Sequence, residues 1–234
     1  MNHEKDSSRL EEKLGIKFKN KDLLRQSLVH RSYLNENPKF SLDNNERLEF
    51  LGDAVLEIVV TEYLFNNFNN PEGELTNWRA SLVNSKMLSK IATDIGLEEF
   101  LYLSRGEAKD KNSKARQYIL ADAIEALIGA IYLDRGIKIS ENFIKKNVLI
   151  HLPNILKHKL YLDPKSRFQE LAQDRKGITP SYKVLTTEGP DHNKNFTVGL
   201  YLEDEFIAKG EGTSKQEAQV NAAESALQLE EWQE

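Results

Sequence analysis

The chain has 234 residues, a net charge of −5 and no cysteine, and it is 39% hydrophobic and 29% charged. These values are typical of a globular protein of one or two domains, and they exclude disulfides and thiolate metal sites. The first 12 residues lack the pattern of a secretion signal, and no apolar run approaches the ~20 residues that span a bilayer. We therefore expect a cytoplasmic protein with no membrane partner.

Hydrophobic periodicity predicts helices throughout residues 8–158 and no convincing strand. The cluster 69–73 (Asn-Asn-Pro-Glu-Gly) is a clear helix breaker, and the charged stretch from Arg105 to Gln117 is predicted to be an exposed loop. The predicted helices span residues 7–15, 20–28, 44–69, 74–93, 116–134 and 138–152.

The pattern changes after Asp163 and Pro164. A helix is predicted over 166–175, followed by three short alternating segments typical of antiparallel strands and a closing helix from Ser214 to Leu229, with Glu217 in a capping-box position. The sequence thus predicts an all-α domain over residues 1–158 and a small α+β domain, in the order α-β-β-β-α, over residues 163–231.

Positive charge is not concentrated in either part. Residues 1–162 carry 24 basic and 23 acidic side chains, whereas residues 163–234 carry 8 and 14. A nucleic acid would therefore have to be bound by a local patch or by shape.

Two groups of carboxylates lie in otherwise apolar helical runs. Glu46, Glu49 and Asp53 fall within an arc of about 60° on the first helix, and Asp122 and Glu125 are neighbours on the second. Buried ionised carboxylates without partners are costly, and no neighbouring basic side chains are numerous enough to neutralise five. A hard divalent cation, Mg²⁺ or Mn²⁺, would satisfy them if the two helices pack together. The alternative is that the first group is only a solvated helix face.

Several motifs carry a family resemblance. Residues 45–53, NERLEFLGD, resemble the signature of the ribonuclease III family, and residues 119–130, ILADAIEALIGA, are similar to its second acidic motif. The order agrees too, because His30-Arg31-Ser32-Tyr33 precedes the signature. The C-terminal domain resembles a double-stranded-RNA-binding domain, and the residues that carry this likeness are 168–171, 189–192 and 210–218.

The resemblance implies an all-α nuclease domain that hydrolyses phosphodiester bonds in double-stranded RNA. It assigns Mg²⁺ binding, with Mn²⁺ as a substitute, to Glu49, Asp53, Asp122 and Glu125. The resemblance also implies that Asp53 and Glu125 are the catalytic pair and that both are indispensable for hydrolysis.

The resemblance also implies how the substrate is used. Glu46 and Glu72 are expected near the scissile strand in a supporting role. Homodimers are expected to cut both strands, leaving 5′-phosphate and 3′-hydroxyl ends with a short 3′ overhang, in the processing of ribosomal RNA precursors and other structured transcripts.

In the RNA-binding domain, the resemblance assigns groove contacts to Gln169 and His192 and phosphate contacts to Ser214 and Lys215. Gln216 stands where the family usually has a second basic residue, which suggests weak binding by this domain alone. The alternatives are that Gln169 is an ordinary exposed helix residue and that His192 is a turn residue.

Two other classes of function remain open. One is a non-catalytic double-stranded-RNA-binding protein, which the complete acidic set argues against. The other is a helical enzyme acting on small phosphorylated molecules, which would leave the α-β-β-β-α domain unexplained.

Overall fold

The computed structural model describes residues 5–110, 113–190 and 194–232. They form two compact units, one ending at Pro153 and one beginning at Asn154. The domain limits 1–158 and 163–231 remain a prediction. Within the described residues, no helix has the length and apolar character needed to cross a bilayer.

The first unit is helical, as predicted. Its helices are α1 (Ser7–Leu14), α2 (Lys21–Ser27), α3 (Arg31–Glu36), α4 (Glu46–Asn67), α5 (Glu72–Val83), α6 (Ser85–Asp94), α7 (Arg105–Lys109), α8 (Lys114–Arg135) and α9 (Ile137–Asn147), and α10 (Leu152–Lys157) spans the boundary to the second unit. The centre of the first unit is α8, which is buried on nearly every side and packs most extensively against α4.

Three of the predicted elements are wrong. The helix predicted over 138–152 ends at Asn147 and is followed by a 3-10 turn over Leu149–His151. In the other two places a capping residue explains the difference. The helix predicted over 74–93 breaks at Asn84, whose extended backbone lets its side chain accept from the Met87 amide at 2.9 Å and start α6. The loop predicted from Arg105 to Gln117 instead contains α7 and the first turn of α8, which Ser104 and Ser113 cap. An N-cap side chain begins a new helix at its own position, even where the apolar period runs on through it.

The apolar side chains of α4 do not all lie in the core. Leu48 and Val55 are buried, but Ile58 is 58% exposed. Phe50 and Phe65 on the same helix are 81% and 76% exposed, so neither belongs to the core of this unit. Trp78 on α5 is buried.

The second unit has the predicted α-β-β-β-α order. The antiparallel sheet has the order β1-β2-β3, and its core includes Phe168, Leu200 and Trp232. Ser214 caps the second helix, and Glu217, in the predicted capping-box position, accepts from the amide of Thr213, one residue before the cap, at 2.9 Å. The elements are α11 (Pro164–Lys176), β1 (Pro180–Glu188), β2 (Asn195–Leu202), β3 (Glu205–Gly212) and α12 (Lys215–Leu227).

Candidate active site and RNA-binding face

Three carboxylates from two helices converge at the crossing of α4 and α8. Oxygen atoms of Glu49, Asp122 and Glu125 all lie within 4.8 Å of one another, and the three side chains are partly buried. An all-oxygen, acidic donor set of this size fits a hard cation such as Mg²⁺ or Mn²⁺. The geometry therefore matches the expectation that these two helices pack side by side.

Two glycines make this convergence possible. A Cβ atom built on Gly52 of α4 would lie 1.7 Å from the backbone oxygen of Glu125, and one on Gly129 of α8 would lie 2.2 Å from that of Leu48. The two backbones are therefore in direct contact, which only glycine permits. This close approach brings Glu49 against the carboxylates of α8.

Asp53 lies one turn beyond Glu49 on α4 but is exposed and stands outside the group of three. Its charge nevertheless acts on both Glu49 and Glu125.

The two supporting acidic residues lie in different places. Glu46 is exposed, and its Oε1 is 3.5 Å from Nη1 of Arg31. Glu72 begins α5 and accepts from Thr76 Oγ1 at 3.0 Å, and it lines a separate cleft with Phe65 and Arg79. One copy of the chain thus brings Glu46, and not Glu72, beside the cluster.

Burial and mutual repulsion perturb the acidic cluster. Burial first, and then the charges of Asp53, Asp122 and Glu49, raise the pKa of Glu125 to about 8. The pKa values of Glu49 and Asp122 are raised as well, mainly by burial. Strongly raised carboxyl pKa values in an acidic cluster mark a site that a cation would stabilise.

A cleft of about 600 Å³ opens beside the cluster. Among its lining residues, Arg31 carries the only lysine or arginine charge, and the same lining includes four acidic side chains, Glu46, Glu49, Glu107 and Asp122. His30 also lines it; its Nδ1 accepts from the Ser32 amide at 3.3 Å, and burial lowers the pKa of His30. His30 and Arg31 belong to the motif that precedes residues 45–53, but nothing in the sequence pattern indicates that these two side chains line the same cleft as the acidic cluster.

The RNA-binding residues assigned from sequence are spread over α11 and α12. Gln169 is exposed on α11, and Lys215 is exposed at the first position of α12. The Ser214 hydroxyl accepts from the Glu217 amide at 3.1 Å, so it also serves as the helix cap. His192 lies outside the described residues.

Together, the crossed helices with their acidic cluster and the separate α-β-β-β-α unit define a nuclease-like protein with an RNA-binding module. Residues 20–152 match the family described as Ribonuclease-III-like, and residues 164–230 match the double-stranded RNA binding motif. The chain belongs to the ribonuclease III family.

Individual relatives agree. The chain is 42% identical to Ribonuclease 3 of Dehalococcoides mccartyi, over 95% of this chain and 94% of that protein. It is 44% identical to Ribonuclease 3 of Campylobacter fetus, over 94% and 96% respectively. Among solved structures, the ribonuclease III nuclease domain of Campylobacter jejuni, described for flexibility in a region involved in dimer formation, is 41% identical. It aligns with 63% of this chain and 99% of that domain, with a TM-score of 0.55.

Proposed function

We propose that the protein is an Mg²⁺-dependent endoribonuclease that cuts double-stranded RNA. The observation that carries this proposal is the convergence of Glu49, Asp122 and Glu125 at a glycine-mediated helix crossing, in a chain that also contains a double-stranded RNA binding motif.

In the proposed site, Glu49, Asp53, Asp122 and Glu125 would hold the cation. When bound, Mg²⁺ or Mn²⁺ would activate water and stabilise the charge that develops on the leaving 3′ oxygen. Because the carboxylates are fixed by the packing of α4 on α8, they orient the reacting groups without large rearrangement. Asp53 and Glu125 are the proposed catalytic pair, and the products carry 5′-phosphate and 3′-hydroxyl ends.

The acidic side chains beside the cleft also explain why other groups are needed to hold the RNA in position. An RNA backbone approaching Glu46, Glu49 and Asp122 meets negative charge, so substrate affinity has to come from groups around the cleft and from the RNA-binding unit. In this proposal Glu46 and Glu72 support the scissile strand, and Gln169, His192, Ser214 and Lys215 bind RNA.

A homodimer forms part of the proposal. Phe50, Ile58 and Phe65 expose large apolar side chains along α4, an arrangement that a second copy can cover. Two copies would supply one acidic cluster for each RNA strand. Cytoplasmic processing of ribosomal RNA precursors and other structured transcripts fits this activity.

The decisive experiment incubates the full chain with a long RNA duplex in Mg²⁺, in Ca²⁺ and in EDTA. We expect short duplex products with 5′-phosphate ends in Mg²⁺, no cutting in EDTA, and binding with little cutting in Ca²⁺, which accepts looser coordination. A single-stranded RNA of the same length is the control for substrate class. Binding without cleavage in Mg²⁺ and Mn²⁺ would instead establish a non-catalytic RNA-binding protein.

A further inference from the structure

The second unit has few cations where a duplex would lie. Residues 163–234 carry 8 basic and 14 acidic side chains, and α12 begins with Lys215 followed by the neutral Gln216. Phosphate contacts dominate the affinity of proteins for nucleic acids. A second cation near Lys215 would therefore matter more here than in a basic domain.

Lys165 places an ammonium group beside α12 from another helix. It lies in the first turn of α11, and its Nζ donates to Oε1 of Gln219 at 2.8 Å. The same Nζ lies 5.0 Å from the ring centroid of Tyr182, a cation–π contact that fixes it from the strand side. A lysine held at two points loses less side-chain entropy on binding than a free one.

This position is adjacent to the expected phosphate contact. Gln219 follows Lys215 by four residues in α12, so the two side chains lie on one face of that helix, one turn apart. Because Lys165 bonds to Gln219, its ammonium lies on the same side of the helix as Lys215.

The same lysine also shares a face of α11 with the expected groove contact. Lys165 precedes Gln169 by four residues, and Gln169 is exposed. A continuous strip therefore runs across two helices, in the order Gln169, Lys165, Gln219 and Lys215.

We propose that Lys165 is a phosphate-binding residue, which supplies from α11 the charge that α12 lacks at Gln216. An ammonium has three donors, and Gln219 occupies one, so donors remain for a phosphate oxygen. This inference rests on the proposed binding of double-stranded RNA, and it adds a contact between the groove end and the phosphate end of the strip.

The test measures the affinity of the full chain for an RNA duplex in Ca²⁺ over a range of salt concentrations. Lys165→Gln should weaken binding roughly two- to fivefold, as expected for one exposed charge contact. It should also reduce the slope of log affinity against log salt by about one. Lys215→Gln should do the same.

Two further variants separate charge from packing. Lys176→Gln is the matched control, because Lys176 lies at the other end of α11 and pairs with Glu205 at 3.4 Å, and its slope should equal the wild-type value. Lys165→Arg keeps the charge and should keep the slope. Thermal unfolding of each variant reports any loss of structure.

The outcomes are distinct. If Lys165→Gln keeps the wild-type salt slope while Lys215→Gln reduces that slope by about one, the assignment of Lys165 is overturned and the proposed function stands. If Lys165→Arg reduces the slope of log affinity against log salt as much as Lys165→Gln does, Lys165 acts through packing and the assignment is again overturned. If the wild-type chain binds no duplex at all, the proposed function itself fails.

Discussion

The two units of this chain present different arrangements of charged side chains for one polyanionic substrate. The helical unit gathers Glu49, Asp122 and Glu125 in a partly buried cluster at a contact between two backbones. The C-terminal unit offers exposed and partly exposed side chains, among them Lys215 and Lys165, on a surface with excess negative charge. The first arrangement is suited to holding a cation, and the second to holding RNA.

The difference lies in what fixes the side chains. Gly52 and Gly129 leave the carboxylates little freedom, because any added Cβ atom would collide with the opposite backbone. Lysines at a surface depend on a neighbouring amide or ring to hold them, as Gln219 and Tyr182 hold Lys165. Backbone packing thus sets the positions of the carboxylates, whereas weaker local contacts set the positions of the lysines. Substitutions in the two units should therefore have effects of different size and kind.

The largest effect is expected at the acidic cluster. Asp53→Asn and Glu125→Gln keep shape but remove charge, and a neutral amide is a poor ligand for a hard cation. We expect cleavage in Mg²⁺ to fall by at least about 100-fold, since even residues outside the ligand shell cost 10–100-fold in metal sites. Duplex binding in Ca²⁺ should be largely retained.

Glu57→Gln is the matched control for those two variants. Glu57 is exposed on α4, one turn beyond Asp53, and lies outside the group of three. Its substitution should leave the cleavage rate within about twofold, the range expected for a surface charge. Wild-type cleavage by Asp53→Asn or Glu125→Gln would disprove the proposed site.

The next effect concerns the helix crossing. Gly52→Ala should destabilise the protein by ~1–3 kcal/mol or more, as overpacking does, and should also lower cleavage by moving the carboxylates apart. Gly73→Ala is the control, because a Cβ atom there meets nothing within 4 Å. Thermal unfolding and the cleavage rate of both variants provide the measurement. Equal stability of the two would show that the crossing tolerates a side chain.

Much of this site could be predicted from the sequence, because charges in apolar helices are conspicuous. Glu49, Asp122 and Glu125 are evident from that anomaly alone. The break at Asn84 and the helix α7 were missed because capping by one side chain leaves the apolar period intact. Lys165 was missed because a lysine on a helix surface is ordinary, and its contact with Gln219 exists only after α11 packs against α12.

Removing the C-terminal unit should have a smaller, salt-dependent effect. Truncation from Asp163 leaves every carboxylate of the proposed site in place, and the unit ending at Pro153 has its own core. We expect cleavage to survive at low ionic strength and to fade as salt rises, because fewer phosphate contacts remain. The rate is measured against salt for both forms at equal, subsaturating RNA. A truncated chain that is inactive even at low salt and high enzyme concentration would show that the RNA-binding unit does more than hold substrate.

The smallest effect is the pH dependence of stability in the metal-free protein. Burial and the neighbouring charges raise the pKa of Glu125 from 4.5 to about 8, so the folded protein retains a proton that the unfolded chain releases. This stabilising contribution is complete below pH 4.5 and is lost progressively as the pH rises from 4.5 to about 8, above which both states are ionised. In EDTA, the unfolding temperature should therefore decline between about pH 7 and about pH 8 and level off above that, in a range where Lys and Arg residues remain charged. His30 contributes little to this decline, because its pKa is lowered from 6.5 and its ring is mostly neutral above pH 7 in both the folded and the unfolded state.

Glu125→Gln should flatten the decline of the unfolding temperature, while Glu57→Gln should leave most of that decline in place. Mg²⁺ should raise the unfolding temperature most at the high end of the range, because binding requires the ionised carboxylate. An identical pH profile for Glu125→Gln and the wild-type chain would rule out the perturbed carboxyl as its source.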